Sequence, residues 1–161
     1  MDHPSESRKI ISQYEKLLVA LAADGIDFAV VGGLAVILNG CPSLTLDADI
    51  IVQATPDNLR KLLARLEKWG EGWARELKPE DFAQETGFIR VMEDFDLDIF
   101  TRMLDKTLDD FRPRLRHWET GGVRIPYLAP EDLIFLKQAS WRDKDKLDVL
   151  ALREIIARES R

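Results

Sequence analysis

The chain has 161 residues, 45% apolar and 32% charged, an ordinary globular composition with length enough for a hydrophobic core. Lys and Arg number 23 against 29 Asp and Glu, and the resulting formal charge of −6 argues against broad, sequence-independent nucleic-acid binding, though not against a local basic pocket. One cysteine, Cys41, excludes an internal disulfide, and two histidines, His3 and His117, give little support to a zinc site or a Ser-His-Asp triad.

The N-terminus MDHPSESRKI lacks an apolar signal core, and no apolar run approaches the roughly 18 residues of a membrane span. A cytoplasmic protein with no membrane partner is expected. The spacing of Ile10, Ile11, Tyr14, Leu17, Leu18 and Leu21 predicts a helix from Ser5 to about Ala23, stopped by Asp24-Gly25. Asp27–Val31 reads as a short buried strand. Gly32-Gly33 then opens a short helix that Asn39-Gly40 ends. Leu44–Val52 alternates and reads as a strand.

Thr55-Pro56-Asp57 starts a helix, with Thr55 as cap, and Leu59, Leu62, Leu63, Leu66 and Trp69 recur on one face until Gly70. Trp73–Leu77 is expected as a short strand and Lys78–Glu85 as a loop or helical turn. Phe88–Met92 and Phe95–Phe100 read as two strands joined by a Glu93-Asp94 hairpin turn. Gly121-Gly122 marks a second hairpin within Leu115–Ile125. Ala129-Pro130 begins a helix running to about Arg142, and another follows to about Arg158. The order predicts an α/β or α+β core over residues 1–128, with its N-terminal helix, and a C-terminal helical segment, 129–161, packed on the same domain.

The sequence TLDADIIV holds the first unusual feature. Residues i and i+2 of a strand face the same way, about 6–7 Å apart, so Asp47 and Asp49 point together. No Lys or Arg lies between Leu34 and Gln53 to neutralise them. Paired carboxylates repel unless a cation sits between them, and hard divalent cations take oxygen ligands. Asp96 and Asp98 repeat the pattern in FDLDIF, with Phe95, Leu97 and Ile99 on the other face. If the two strands are neighbours, an acid of the second joins Asp47 and Asp49, and three acids can build a two-metal site with ions about 3.5–4 Å apart. A single Asp-x-Asp is usually a solvated strand face; two pairs, in residues unfavourable to strands, shift the balance toward function.

Gly32-Gly33 is the second feature. Glycines at a strand-to-helix turn let backbone N–H groups approach a ligand, and a helix start favours phosphate. Neither a GxGxxG fingerprint nor a P-loop is present.

Taken together, VVGGLAVILNG, TLDADIIV and DLDIF resemble the nucleotidyltransferase superfamily related to DNA polymerase β. The extended pattern of Gly32, Gly33, Ala35, Gly40, Thr45, Asp47 and Asp49 looks like its AbiEii-type and minimal nucleotidyltransferase branch. Asp132, Lys137, Arg142, Lys144, Asp145 and Asp148 match that branch's C-terminal pattern.

The resemblance implies a mixed sheet flanked by helices and a metal-dependent enzyme. Gly32, Gly33 and Thr45 would hold a nucleoside triphosphate, with ATP as the first candidate, and Lys137 and Arg142 would neutralise phosphates. Asp47, Asp49 and Asp98 would be catalytic and bind Mg²⁺ or Mn²⁺, with Asp96 as the alternative third acid. The acceptor hydroxyl could belong to a tRNA end, a protein or a small molecule. The branch includes toxins of toxin–antitoxin pairs, which implies an antitoxin partner. One position departs: the branch's arginine two residues before the threonine is Ser43, leaving Arg90, Arg102 or Arg142 as spatial substitutes. That departure keeps open a catalytically degenerate nucleotide-binding or interaction module. Cys41 and the four tryptophans are expected in packing roles, and Asp145 and Asp148 to pair with neighbouring lysines.

Overall fold

Four successive buried residues, Phe28, Ala29, Val30 and Val31, place the strand they form, β1 (Phe28–Val31), in the interior of a sheet. The computed structural model describes residues 4–43, 45–83, 87–138 and 140–161. A long helix, α1 (Pro4–Ala23), precedes β1, and Gly25 turns the chain between them at φ 72°. Gly32, at φ 67°, then starts α2 (Gly32–Leu38) without an intervening loop. Asn39 closes that helix, its side-chain amide donating to the carbonyls of Ala35 and Leu128 at 2.9 and 3.0 Å.

The chain returns in β2 (Asp47–Val52) and continues into α3 (Pro56–Leu66), capped by the Thr55 hydroxyl, which accepts the Asn58 N–H at 3.3 Å. A hairpin follows, β3 (Ile89–Met92) and β4 (Asp96–Phe100), then a one-turn helix α4 (Leu108–Phe111). A second hairpin, β5 (Arg116–Thr120) and β6 (Val123–Tyr127), turns at Gly121-Gly122. Helices α5 (Pro130–Lys137) and α6 (Asp143–Glu159) complete the fold.

The six strands form one mixed sheet in the order β3-β4-β2-β1-β6-β5. β1 runs antiparallel to β2 and parallel to β6, β2 runs parallel to β4, and both hairpins are antiparallel. Helix α1 packs on β6, α2 and α3, and α5 packs on α2 and α6. Leu133 of α5 and Leu152 of α6 share one hydrophobic core with the strands. No helix among the described residues is long and apolar enough to cross a membrane.

Three local expectations are corrected. Trp73–Leu77 is not a strand: Trp73–Glu76 is a 3-10 turn entered through Gly72 at φ 78°. The Glu93 carboxylate accepts the N–H groups of Glu71 and Trp73 at 2.8 and 2.9 Å, which bends the segment around an acid instead of a neighbouring strand. The expected helix to Arg142 ends at Lys137, and Arg142 becomes the cap residue of α6. At the break the Ser140 hydroxyl donates to Asp145 at 2.6 Å and accepts the Arg142 N–H at 3.2 Å. The strand expected from Leu44 begins at Asp47; Leu44 itself, like Gln84–Thr86, lies outside the described residues.

Candidate active site

The acids converge because β2 and β4 are neighbours in parallel register. Asp47 stands beside Asp96 and Asp49 beside Asp98. The alternate residues Ala48, Ile50, Leu97 and Ile99 are buried on the opposite face. The hydrophobic pattern therefore fixes which face carries the carboxylates.

Gly32 is required by contact as well as by conformation. A Cβ there would lie 2.1 Å from Asp49 Oδ2, in a backbone region at φ 67° that other residues rarely adopt. A Cβ on Gly33 would meet Thr45 Cβ at 3.0 Å and Lys144 Nζ at 3.3 Å. Thr45 Oγ1 donates to the Asp47 carbonyl at 2.8 Å and steadies the start of β2. Beneath it Tyr14, fully buried, donates to the Thr45 carbonyl at 3.5 Å and meets Phe95 edge-on at 4.6 Å.

Arg90 occupies the centre of the acidic face. Its guanidinium donates to both oxygens of the buried Asp98, at 2.7 and 2.9 Å. It also donates to Asp47 at 3.3 Å and pairs with Asp96 at 3.4 Å. Hydrogen bonding to Asp98, then the charges of Asp98, Asp47 and Asp96, raises its pKa above the ordinary arginine value. Asp49 is not among the acids that Arg90 pairs with; it hydrogen-bonds to Asp98 instead. Burial, followed by the charges of Asp98 and Asp47, pushes its carboxyl up to about 7.

Asp47, Asp49, Arg90 and Asp98, but not Asp96, line a cleft of about 570 Å³ with Gly32, Gly33, Thr45, Lys137, Arg142 and Lys144. Phe88, Phe100, Met103, Leu133 and Leu136 supply an apolar wall. Lys137 is nearly buried and pairs with Asp145 at 3.1 Å and Asp148 at 3.3 Å. Arg142 donates to Asp145 at 2.9 Å. Burial raises the Asp145 carboxyl, but hydrogen bonds from Ser140, Arg142 and Lys137 outweigh it and hold the group well below the usual carboxylate range. Ser43, where the resembled branch carries arginine, donates to Asp148 at 3.3 Å. Of the three arginines weighed as substitutes, Arg90 and Arg142 line the cleft. Lys137 and Lys144 do not share one continuous helix, yet both reach Asp148.

Among the described residues, no group of three Asp, Glu, His or Cys side chains is arranged as a metal site. The donor set nevertheless suits a hard cation: Asp47, Asp49, Asp96 and Asp98 offer only carboxylate oxygens, and one guanidinium serves three of them. Sequence reasoning missed the central position of Arg90 and the supporting role of Tyr14. No local signal shows Arg90: it reaches Asp98 because the hairpin turns over three residues, 93–95, where the sequence suggests two.

The fold has known counterparts. Residues 8–158 match the family model described as Nucleotidyltransferase of unknown function (DUF6036). No curated protein is significantly similar in sequence. Among solved structures, the fold resembles the lincosamide antibiotic adenylyltransferase LnuA, bound to lincomycin, at a TM-score of 0.55 and 16% identity, covering 95% of this chain and 98% of that one. It also resembles an antigenic nucleotidyltransferase-like protein from Paracoccidioides brasiliensis, at 0.52 and 17% identity over 95% of this chain and 76% of that one. A Thermotoga maritima protein described as a nucleotidyltransferase aligns at 0.51 and 17% identity, over 99% and 94%.

Proposed function

The chain belongs to this nucleotidyltransferase family, and on that premise we propose that it moves a nucleoside monophosphate from a nucleoside triphosphate to an acceptor hydroxyl. The observation that carries the reading is the meeting of Asp47, Asp49 and Asp98 on one face, in one cleft with the bare backbone of Gly32-Gly33 and the cations of Arg142 and Lys144.

Asp47, Asp49 and Asp98 would hold a divalent cation, Mg²⁺ or Mn²⁺, which when bound supplies charge neutralisation at the transferring phosphoryl group. The remaining work falls to the protein. Gly32 and Gly33 leave room for phosphate oxygens against the backbone. Arg142 and Lys144 neutralise those oxygens from the helical side. Asp98 accepts the proton of the attacking hydroxyl, whose oxygen bonds to the α-phosphorus as the bond to the β-phosphate oxygen breaks and pyrophosphate leaves. The apolar wall and the formal charge of −6 favour a small hydroxylated acceptor over a nucleic acid. LnuA with lincomycin is an instance of a small molecule on this fold.

A second reading, a nucleotide-binding or interaction module without turnover, is favoured by Ser43 and by the engagement of Arg90 with the acids. Calorimetric titration of ATP with Mg²⁺ tests both. Metal-dependent binding is expected in the parent and at least about tenfold weaker binding in Asp47→Asn/Asp49→Asn. Binding with pyrophosphate release on supplying acceptors supports the enzyme; binding without release from any acceptor supports the module. Silence of the parent with ATP, CTP, GTP and UTP would overturn both.

A further inference from the structure

The cation that holds the acidic face together stands on the rim of the sheet. Arg90 lies on β3, an edge strand, and its side chain is 39% exposed. It can leave without disturbing any strand on its outer side. The Phe88 ring lies 5.7 Å from its guanidinium carbon and offers a second resting surface.

The oxygens that Arg90 occupies are the ones a divalent ion would need. Both oxygens of Asp98 and Oδ2 of Asp47 are engaged by it. A guanidinium and a divalent cation repel each other at contact distance and compete for those oxygens. Entry of the ion is therefore favoured by the departure of Arg90.

The other cleft cations differ in this respect. Lys137 is held by Asp145 and Asp148, and Arg142 by Asp145, acids outside the β2–β4 face. Arg90 alone among these three loses its partners when the acids take a metal. Phosphate is the natural next partner, because a planar guanidinium binds two phosphate oxygens at once.

We propose that Arg90 is a displaceable internal cation, which occupies Asp47 and Asp98 in the empty site and passes to the triphosphate when metal and nucleotide enter together. The proposal rests on the nucleotidyltransferase reading for its second half only. Its consequence is thermodynamic coupling. Free metal must compete with Arg90 and binds weakly, whereas metal accompanied by phosphate supplies the displaced guanidinium with a new partner. Arg90 thus acts as a positioning residue that makes the site select the metal–nucleotide complex over the bare ion.

The test measures free Mn²⁺ by electron paramagnetic resonance, in the parent, Arg90→Gln and Arg90→Lys, without nucleotide and with an α,β-methylene ATP analogue. Arg90→Gln is expected to bind free Mn²⁺ about tenfold more tightly than the parent and the analogue, at saturating Mn²⁺, about tenfold more weakly. Arg90→Lys keeps the charge but not the two-pronged geometry, and falls between. Damage to the fold would weaken both affinities, so the opposite signs separate displacement from misfolding. Unchanged or weaker free-Mn²⁺ binding in Arg90→Gln overturns the proposal, and leaves the nucleotide reading intact if the parent still binds the analogue through Asp47 and Asp49. A parent that binds no analogue overturns the transfer to phosphate together with the nucleotide reading, while the free-metal comparison still decides the displacement.

Discussion

Two charged clusters border the same cleft and are built on opposite terms. Around Lys137, two buried acids, Asp145 and Asp148, are met by Lys137, Arg142, Lys144, Ser140 and Ser43. Around Arg90, three acids, Asp47, Asp96 and Asp98, share one guanidinium, and the fourth, Asp49, is left to carry a proton up to about pH 7. The first cluster is balanced and ties α5 to α6. The second holds a surplus of negative charge that only an added cation or protons can relieve. An acidic motif read from sequence does not distinguish these cases; the number of cations facing it does.

The largest expected effect breaks the balanced cluster. Lys137→Met keeps the volume and removes the charge, leaving Asp145 with Ser140 and Arg142 and Asp148 with Ser43 and the more distant Lys144. Removing one partner of a buried pair costs about 3–5 kcal/mol, and the surviving partners place this variant near the lower end. Urea unfolding should show the midpoint fall accordingly. An unchanged midpoint would mean that Lys137 is not the keystone of the C-terminal helices.

A smaller effect comes from pH, because the clusters titrate in opposite directions. Asp49 holds its proton in the folded state up to about pH 7 but releases it near the ordinary 3.8 when unfolded. Between those values the folded protein binds more protons, so its stability falls as pH rises, by at most about 4 kcal/mol at about 1.36 kcal/mol per pKa unit. Asp145 is depressed instead; its contribution is fully present above the unfolded value and is lost as pH falls from there through the lower folded value. Asp49→Asn, which mimics the protonated carboxyl, should flatten the decline between about pH 4 and 7 and be more stable than the parent at pH 8. Urea midpoints at pH 5 and pH 8 for both proteins measure this. A parent curve that rises over that interval would sink the assignment.

Much of this contrast was legible before the structure, and the failures share one cause. β1, α2, β2 and both hairpins follow from patterns within a few residues, so local sequence shows them. The pairing of β2 with β4 depends on side chains far apart in sequence and was only a conditional expectation. The β3–β4 turn is longer by one residue than Glu93-Asp94. Met92 pairs with Asp96, because Glu93 is spent on the N–H groups of Glu71 and Trp73 and Phe95 packs on Tyr14 and Trp69. A one-residue slip turns every side chain over. The two-residue turn would set Arg90 opposite Leu97, on the buried face; the three-residue turn sets it opposite Asp98. The central cation was hidden by a tertiary contact of Glu93, not by any ambiguity in the strands.

The smallest expected effect separates the two acids of β4. Both stand on the same face of the sheet, Asp98 alone lines the cleft, and the sequence favours Asp98 as the third carboxylate with Asp96 as runner-up. Asp98 is buried and engages Arg90 through both oxygens; Asp96 is more exposed and makes a single contact at 3.4 Å. Asp98 also stands beside Asp49, whereas Asp96 stands beside Asp47 at the start of both strands. Exposed ion pairs contribute about 0–1 kcal/mol, so Asp96→Asn should leave Mg²⁺-dependent ATP binding within about fivefold of the parent. Asp98→Asn should weaken it by far more, since the variant removes both a carboxylate that faces Asp49 and the main anchor of Arg90. Titration calorimetry on the two single variants decides between them. The reverse ranking would move the proposed third carboxylate to Asp96 and with it the proposed site's centre toward Asp47.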